Sequence, residues 1–220
     1  MKISKELYKQ IEKINRLFIQ TSFSTNFNYP TEKDGVIAWT DFKDISFALK
    51  NQPYDELYKE CLKERAYNFI LLDGAIIQML YTCNGGSIVK HRLAYYPNPD
   101  LERFSDSPED YEEIHFGPNL FSDIISKAII AFPIRFDFDA DIEKHIEHDH
   151  AHTHMTLGNY SSCRIPVSRP LSPNKFILFI LRAFYLEKFN AHLKLTDFDC
   201  DLPIDAALTK NELKYLHIRH

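Results

Sequence analysis

Two turn signals in the middle of the chain constrain its fold more than any other feature. Asp73-Gly74 separates two apolar runs, and Asn84-Gly85-Gly86 separates the second run from a third. An Asp-Gly or Asn-Gly pair between apolar runs is typical of a β-hairpin, because these residues accept the positive φ angles of tight hairpin turns. The pattern therefore predicts an antiparallel meander with strands at 67–72, 75–81 and 87–96.

Helices and short connecting elements are predicted on the N-terminal side of this meander. Apolar residues recur every three or four positions from Ile3 to Phe18, which indicates an amphipathic helix over residues 4–20. The other elements predicted on this side are a loop at 21–30, a strand at 36–39, and helices at 40–50 and 55–65.

The C-terminal half combines predicted strands with one strongly apolar helix. Residues 128–139 are predicted to form a strand, which Pro133 places at an edge or a bulge because proline has no N–H to donate. Residues 163–167 are a further predicted strand. Ser172-Pro173 is typical of a helix start, a capping hydroxyl followed by proline at the first position. The helix that follows, at 173–192, is apolar over much of its circumference.

These elements predict an α+β fold, with an antiparallel sheet of about five or six strands packed by the 173–192 helix and the N-terminal helices on a flank. A chain of 220 residues with 45% hydrophobic content is sufficient for the core of a single domain. The predicted domain spans 1–220. Its parts are a mainly helical segment at 1–65, the sheet and core helix at 66–192, and a C-terminal extension at 193–220 with a helix at 204–217.

Composition limits what the protein binds and where it acts. The formal net charge of −5 disfavours broad binding to nucleic acid, which needs a basic face. The most apolar run, 176–184, is about half of the roughly 20 residues that span a bilayer, and the charged N-terminal segment does not resemble a signal peptide. The four cysteines form no Cys-x-x-Cys pair, so we expect buried, reduced thiols. We therefore expect a cytoplasmic protein with no membrane contact.

The residues with the most chemical potential are concentrated in one segment. The run Arg135-Phe136-Asp137-Phe138-Asp139 precedes five of the ten histidines, at positions 145, 148, 150, 152 and 154. Imidazole nitrogens and carboxylate oxygens are metal ligands and proton carriers. The alternation of a strand places Arg135, Asp137 and Asp139 on one face and the two phenylalanines on the other.

Two of the histidines are favoured as site residues. In a strand the four even-numbered histidines share one face, whereas in a helix only His150 and His154 are neighbours, so either conformation brings these two together. A mononuclear metal site needs three or four ligands, and Asp137 and Asp139 supply the others in a predicted divalent-metal site. In the alternative, the same groups transfer protons and Arg135 stabilises charge on a phosphate.

Simpler interpretations stay open. The histidine spacing matches neither His-Glu-x-x-His nor a zinc finger. A solvated polar loop after an edge strand accounts for the histidines, because charged residues lie between them. Arg135 and the two aspartates are equally compatible with an ordinary surface salt bridge, which contributes little to stability.

Four short motifs carry a resemblance to a known family. In chain order they are Arg135 to Asp139, His150 to Gly158, Cys163-Arg164-Ile165-Pro166 and Arg169-Pro170-Leu171-Ser172-Pro173. Together they resemble a bacterial family catalogued as an uncharacterised conserved protein, a domain of unknown function, over most of the chain. Members usually carry His-Pro-x-x-His where this chain has His150 to His154. The proline is absent in this chain but both outer histidines match, which implies His150 and His154 rather than the other three.

The order of the motifs has a fainter resemblance to the TumE-like toxins of bacterial toxin–antitoxin pairs. Those proteins also run from an Asp-Gly hairpin through an Arg-aromatic-Asp strand and a histidine-rich turn to a helix. The resemblance implies a growth-inhibiting or anti-phage role with nuclease chemistry, as an analogy.

The leading hypothesis is a toxin-like or phage-defence effector, a metal-dependent nuclease or phosphodiesterase subunit. In it the favoured aspartates and histidines bind a divalent metal ion or transfer protons, and Arg135 or Arg164 stabilises charge on phosphate. A protein partner would supply affinity for nucleic acid. An alternative is a non-catalytic interaction or antitoxin-like subunit that uses the acidic loop at 98–113, and a third is a metal-dependent enzyme acting on a small molecule.

Overall fold

The computed structural model describes residues 2–43, 52–100, 132–158, 160, 162–199 and 202–220. It is an α+β fold in which the described residues form four α-helices and one nine-stranded antiparallel sheet. The predicted fold class is confirmed, and the sheet is larger than expected because residues 24–33 supply two further strands and residues 153–157 supply a third. The predicted helix at 40–50 and the acidic loop at 98–113 lie mostly outside the described residues, and so do the first four positions of the strand predicted at 128–139.

Strands and helices alternate in groups along the chain. The strands are β1 (Ser24–Phe27), β2 (Pro30–Lys33), β3 (Val36–Trp39), β4 (Phe69–Leu71), β5 (Ile76–Asn84), β6 (Ser87–Tyr96), β7 (Ile134–Asp139), β8 (Thr153–Leu157) and β9 (Ile165–Pro166). The helices are α1 (Ile3–Gln20), α2 (Tyr54–Lys63), α3 (Pro173–Phe184) and α4 (Leu186–His192). The sheet order is β1-β4-β5-β6-β7-β8-β9, and β3 joins the hairpin partner β2 to β5.

The predicted meander is β4, β5 and β6. Its first turn needs glycine at position 74, where φ is +85° and an added Cβ would lie 2.9 Å from Nδ2 of Asn98. β7 pairs with β6 on one side and with β8 on the other, without a register shift in either pairing, so the prediction that Pro133 marks an edge or a bulge is wrong. Pro133 lies just before the first residue of β7, where a missing N–H interrupts no ladder bond.

One face of the sheet holds the main core. The apolar stripe of α1 packs there beside α3, against alternate residues of β5, β6 and β7. Leu7, Ile11 and Ile14 are completely buried, and each contributes about 1.5–3 kcal/mol to folding through the hydrophobic effect. α2 covers part of the opposite face, where Tyr58 and Cys61 contact a second apolar cluster.

A buried histidine ties the sheet to the core helix. His91 on β6 donates from Nδ1 to the carbonyl of Phe136 at 3.2 Å, and its Nε2 accepts from the N–H of Leu171 at 3.2 Å. The hydroxyl of Tyr81 donates to the carbonyl of Leu171 at 3.0 Å. The next residue, Ser172, caps α3 as the sequence predicts. Burial lowers the pKa of His91 to about 4, so the imidazole is neutral, as its acceptor role requires.

The C-terminal third departs from the prediction in two places. The 173–192 helix is interrupted at Tyr185, whose hydroxyl donates to the carboxylate of Asp73 at 2.8 Å. The predicted helix at 204–217 is wrong, because only Glu212–Lys214 form a 3₁₀ turn there. The N–H of Ala207 instead donates to the carbonyl of Ser168, and the backbone of Ile218 bonds to Pro166 and Ser168, so the segment pairs with distant backbone at both of its ends.

Two smaller expectations also change. The predicted loop at 21–30 contains β1, which pairs with β4. Of the cysteines that the structure describes, all are free thiols, but only Cys61 is buried, and Cys83 and Cys163 are half-buried. Within the described ranges, none of the helices combines the length and the apolar character that crossing a membrane requires.

Candidate functional site

A polar patch lies on the face of the sheet opposite α1 and α3. We define it as Arg92, Arg135, Asp137, His150 and His154. Strand register brings four of its members together, because Arg92 of β6 faces Asp137 of β7, and Asp137 in turn faces His154 of β8. Arg135 lies two residues before Asp137 on the same face.

The carboxylate of Asp137 is held between two guanidinium groups. Nε of Arg92 donates to its Oδ1 at 3.0 Å, and Nε of Arg135 lies 4.0 Å from its Oδ2. Burial by itself would raise the pKa of Asp137, but the charges of Arg92 and Arg135 outweigh it and hold the pKa below 3.8. The side chains of Arg92 and Arg135 remain 37% and 34% exposed.

His154 has a fixed tautomer. Its Nδ1 lies 3.0 Å from the carbonyl oxygen of Ala151, and since a carbonyl only accepts, Nδ1 carries the proton. The Nε2 lone pair is then available to take up a proton. Burial lowers the pKa of His154 below 6.5, and His150 and Arg164 act in the same direction, while the hydrogen bond to Ala151 and the charge of Asp137 oppose them. His154 is therefore a neutral base at neutral pH, with 6% of its surface exposed.

His150 is arranged in the same way. Its Nδ1 lies 2.6 Å from the carbonyl oxygen of Lys144, so Nδ1 donates and Nε2 is left without a bond to any described residue. The ring centroids of His150 and His154 are 4.8 Å apart, with an angle of 52° between the rings. The adjacency that the sequence predicts for these two histidines is present.

Asp139 is engaged elsewhere. Its Oδ2 accepts from Nζ of Lys144 at 2.7 Å and lies 3.8 Å from Nζ of Lys90, and its Oδ1 accepts from the N–H of Asp141. Among the residues that the structure describes, no three His, Cys, Asp or Glu side chains converge in a way that would hold a metal ion. The metal site predicted from Asp137, Asp139, His150 and His154 therefore stays a prediction. The carboxylates of Asp137 and Asp139 form ion pairs with arginine and lysine side chains, which favours the alternative in which the histidines transfer protons without a metal ion.

The other three histidines lie apart from the patch. The rings of His145 and His152 stack at 4.5 Å, and Nε2 of His145 lies 3.0 Å from the buried carboxylate of Glu212. His148 adopts a positive φ of 71° and contacts the ring of Tyr215. The segment 141–152, which we call the histidine loop, is thus held by the C-terminal segment.

Arg92 is the patch residue that the sequence interpretation missed. It lies in the alternating run Lys90-His91-Arg92, which places it on the polar face of β6. Its place opposite Asp137 follows only from the register between β6 and β7, strands that are separated by 37 residues in the chain. The period-2 pattern gives the face but not the partner.

Comparison with known proteins gives a family but no relative of known activity. The sequence model of one family, described as uncharacterized conserved protein (DUF2290), matches residues 20–220. No curated protein and no solved structure matches significantly. The fainter resemblance to TumE-like toxins is not tested by these findings and stays a prediction.

Proposed function

The chain belongs to this DUF2290 family, and we propose that its polar patch catalyses phosphodiester transfer by acid–base chemistry, with RNA as the substrate class. The observation that supports this most directly is the pair of adjacent imidazoles, His150 and His154, each with Nδ1–H fixed by a backbone carbonyl. Both Nε2 atoms are then left for proton transfer beside two arginines.

The proposed reaction needs two proton transfers. Nε2 of His154 takes the proton of the ribose 2′-hydroxyl as the 2′-oxygen attacks phosphorus, and the bond from phosphorus to the 5′-oxygen breaks. The leaving 5′-oxygen receives a proton from Nε2–H of protonated His150. The products are a 2′,3′-cyclic phosphate and a 5′-hydroxyl. Burial lowers the pKa of His154, and His150, whose ring centroid lies 4.8 Å away, lowers it further, which keeps His154 neutral and suits it to the role of the base.

The arginines supply the charge that phosphate requires. A guanidinium group binds phosphate oxygens with paired N–H donors. Arg135 makes only a long contact to Asp137 among the described residues, so most of its donors remain available to a phosphate. Asp137 is a positioning residue in this proposal, because it orients both guanidinium groups without touching the reacting atoms.

RNA is favoured over DNA as the substrate because RNA carries its own nucleophile, so no external one is needed. The 2′-hydroxyl lies beside the phosphorus, and such proximity replaces the activation of water that a metal ion usually supplies. The net charge of −5 disfavours tight binding of bare RNA, so we propose that a protein partner supplies part of the affinity. We place this activity in the cytoplasm, as a toxin-like or phage-defence effector.

The test compares bacteria that express the wild-type protein, His154→Gln or Arg135→Gln. We expect growth inhibition and new RNA ends carrying 2′,3′-cyclic phosphates with the wild type only, because loss of a general base typically lowers rates by about 10²–10⁴-fold. His192→Gln, an exposed histidine at the end of α4, is the matched control and should behave like wild type.

Two results decide against the proposal. Identical RNA ends from wild type and His154→Gln at matched protein levels would refute acid–base catalysis at the patch. Activity in extracts that is abolished by a chelator and restored by a divalent ion would favour the metal-dependent alternative, in which Nε2 of both histidines binds the ion.

A second candidate function, a non-catalytic subunit, is supported by one separate observation. Large apolar side chains are exposed on the histidine loop and on the C-terminal segment that holds it. Ile142, Ile146, Tyr215 and Leu216 are 59–87% exposed. Such neighbouring apolar exposure is typical of protein-contact surfaces. If Tyr215→Ser/Leu216→Ser abolishes the biological effect while His154→Gln preserves it, the non-catalytic function is the better one.

A further inference from the structure

A cavity of about 450 Å³ lies away from the polar patch, between the start of α3 and the C-terminal segment. Its volume is within the range of small-molecule sites, roughly 300–1,000 Å³. Basic side chains dominate its polar lining. The lining includes Arg169, Lys175, Arg219 and His220, with Leu202 and Ile204 forming an apolar wall.

The guanidinium of Arg169 is poorly satisfied. Its Nε is shielded from solvent and has no hydrogen-bond partner among the residues that the structure describes. Among the described partners, the guanidinium makes a single hydrogen bond, a long contact of 3.4 Å from Nη1 to the carbonyl of Ile204. A buried cationic donor without a partner is costly, and it calls for an explanation such as a water molecule, an ion or a ligand close to the group.

The attraction of this cavity for anions comes from side chains. The N–H groups in the first turn of α3 have no acceptor within the helix, but they are bonded to side chains. The N–H of Asn174 donates to Oε1 of Gln10, and the N–H of Lys175 donates to Oγ of Ser172. Arg219 is exposed and makes no ion pair with any described residue. Arg169, Lys175 and Arg219 together bring three positive charges to one cavity in a chain whose net charge is −5.

We propose that this cavity binds a small organic phosphate. Its phosphate group lies against Arg169 and Arg219, and its carbon skeleton lies against Leu202 and Ile204. A phosphomonoester is favoured over a carboxylate because it carries a charge of nearly −2, and because guanidinium groups such as those of Arg169 and Arg219 pair with phosphate oxygens through two parallel bonds. The cavity is larger than a single inorganic ion needs, and its apolar wall suits the carbon skeleton of an organic phosphate. This site does not depend on the function proposed for the polar patch.

The test is calorimetric titration of the full chain with ribose 5-phosphate, adenosine 5′-monophosphate and inorganic phosphate, with acetate at equal ionic strength as the reference. We expect one-to-one binding of the phosphate esters, tighter than inorganic phosphate. Arg219→Gln should weaken binding about tenfold or more, since hydrogen bonds between charged groups are strong. Arg219 is exposed, so this variant should fold even if Arg169→Gln does not.

Arg16→Gln, on the exposed side of α1, is the matched control and should bind like wild type. His154→Gln should also bind normally, which separates this site from the polar patch. Heats indistinguishable from acetate, an equal loss in Arg16→Gln, or saturation by oligonucleotides but not by the small esters would each overturn the proposal.

Discussion

Acid should destabilise this protein through His91 to an extent that the structure allows us to calculate. The imidazole is 1% exposed and uses both nitrogens in its neutral form, one as donor to Phe136 and one as acceptor from Leu171. Burial lowers its pKa from 6.5 to about 4 in the folded protein. Between these two values the unfolded chain binds a proton that the folded chain does not, so stability falls as pH falls.

The expected loss follows from the two pKa values. Relative to pH 8, this one residue should cost about 2 kcal/mol of unfolding free energy at pH 5 and about 3 kcal/mol at pH 4. His91→Gln removes the titration and keeps an oxygen that can accept from Leu171. The variant should therefore be less stable than wild type at pH 8. The difference in unfolding free energy between the two proteins should be smaller by about 2 kcal/mol at pH 5.

The assay is denaturant unfolding at several pH values between 5 and 8, followed by the fluorescence of Trp39. Trp39 is the one tryptophan of the chain, and it is 4% exposed. Carboxylates and other histidines titrate in both proteins, so their contributions cancel in the difference. His192→Gln should show the pH dependence of wild type. A gap between wild type and His91→Gln that is the same at pH 5 and pH 8 would refute the reasoning.

Two further predictions concern the backbone. Gly35→Ala should destabilise the fold by about 1–3 kcal/mol more than Gly85→Ala, because both positions have positive φ but only at Gly35 would the new Cβ meet a backbone atom, the carbonyl oxygen of Cys83. Equal unfolding midpoints for the two alanine variants would contradict this. Ser172→Ala should cost about 1 kcal/mol, because it removes the side-chain cap of α3, and thermal unfolding measures the loss. An unchanged melting temperature would show that the cap contributes nothing.

The elements that the sequence predicts well are those whose signals are local. Asp73-Gly74 and the glycines after Asn84 mark the turns of the meander, and the spacing from Ile3 to Phe18 marks α1, because turn chemistry and apolar periodicity depend only on neighbouring residues. The helix expected at 204–217 failed for the opposite reason. Its backbone bonds to residues near 166–168, and such long-range pairing leaves no local pattern.

The same distinction between local and long-range signals applies to the residues of the candidate site. The adjacency of His150 and His154 follows from their spacing. The engagement of Asp137 by Arg92 does not, because it depends on how β6 and β7 align across a long connection. Nor does the spacing distinguish a free carboxylate from one bound by lysines, which is the situation of Asp139. The high number of histidines therefore indicates the region of the candidate site. The three-dimensional structure is needed to distinguish the polar patch from the stacked pair of His145 and His152.

The contacts of the C-terminal segment with the histidine loop have a consequence for genetics. Glu212, whose side chain is completely buried, bonds to His145, and Glu147 accepts from Thr209 and Asn211 at 3.0 Å. Their contacts are not with the imidazoles assigned to proton transfer, yet they hold His145 and Glu147 of the histidine loop close to Lys144, whose carbonyl accepts from His150. A screen for loss-of-function alleles should therefore recover substitutions at 209–212, and without coordinates they would be mistaken for part of the reaction machinery.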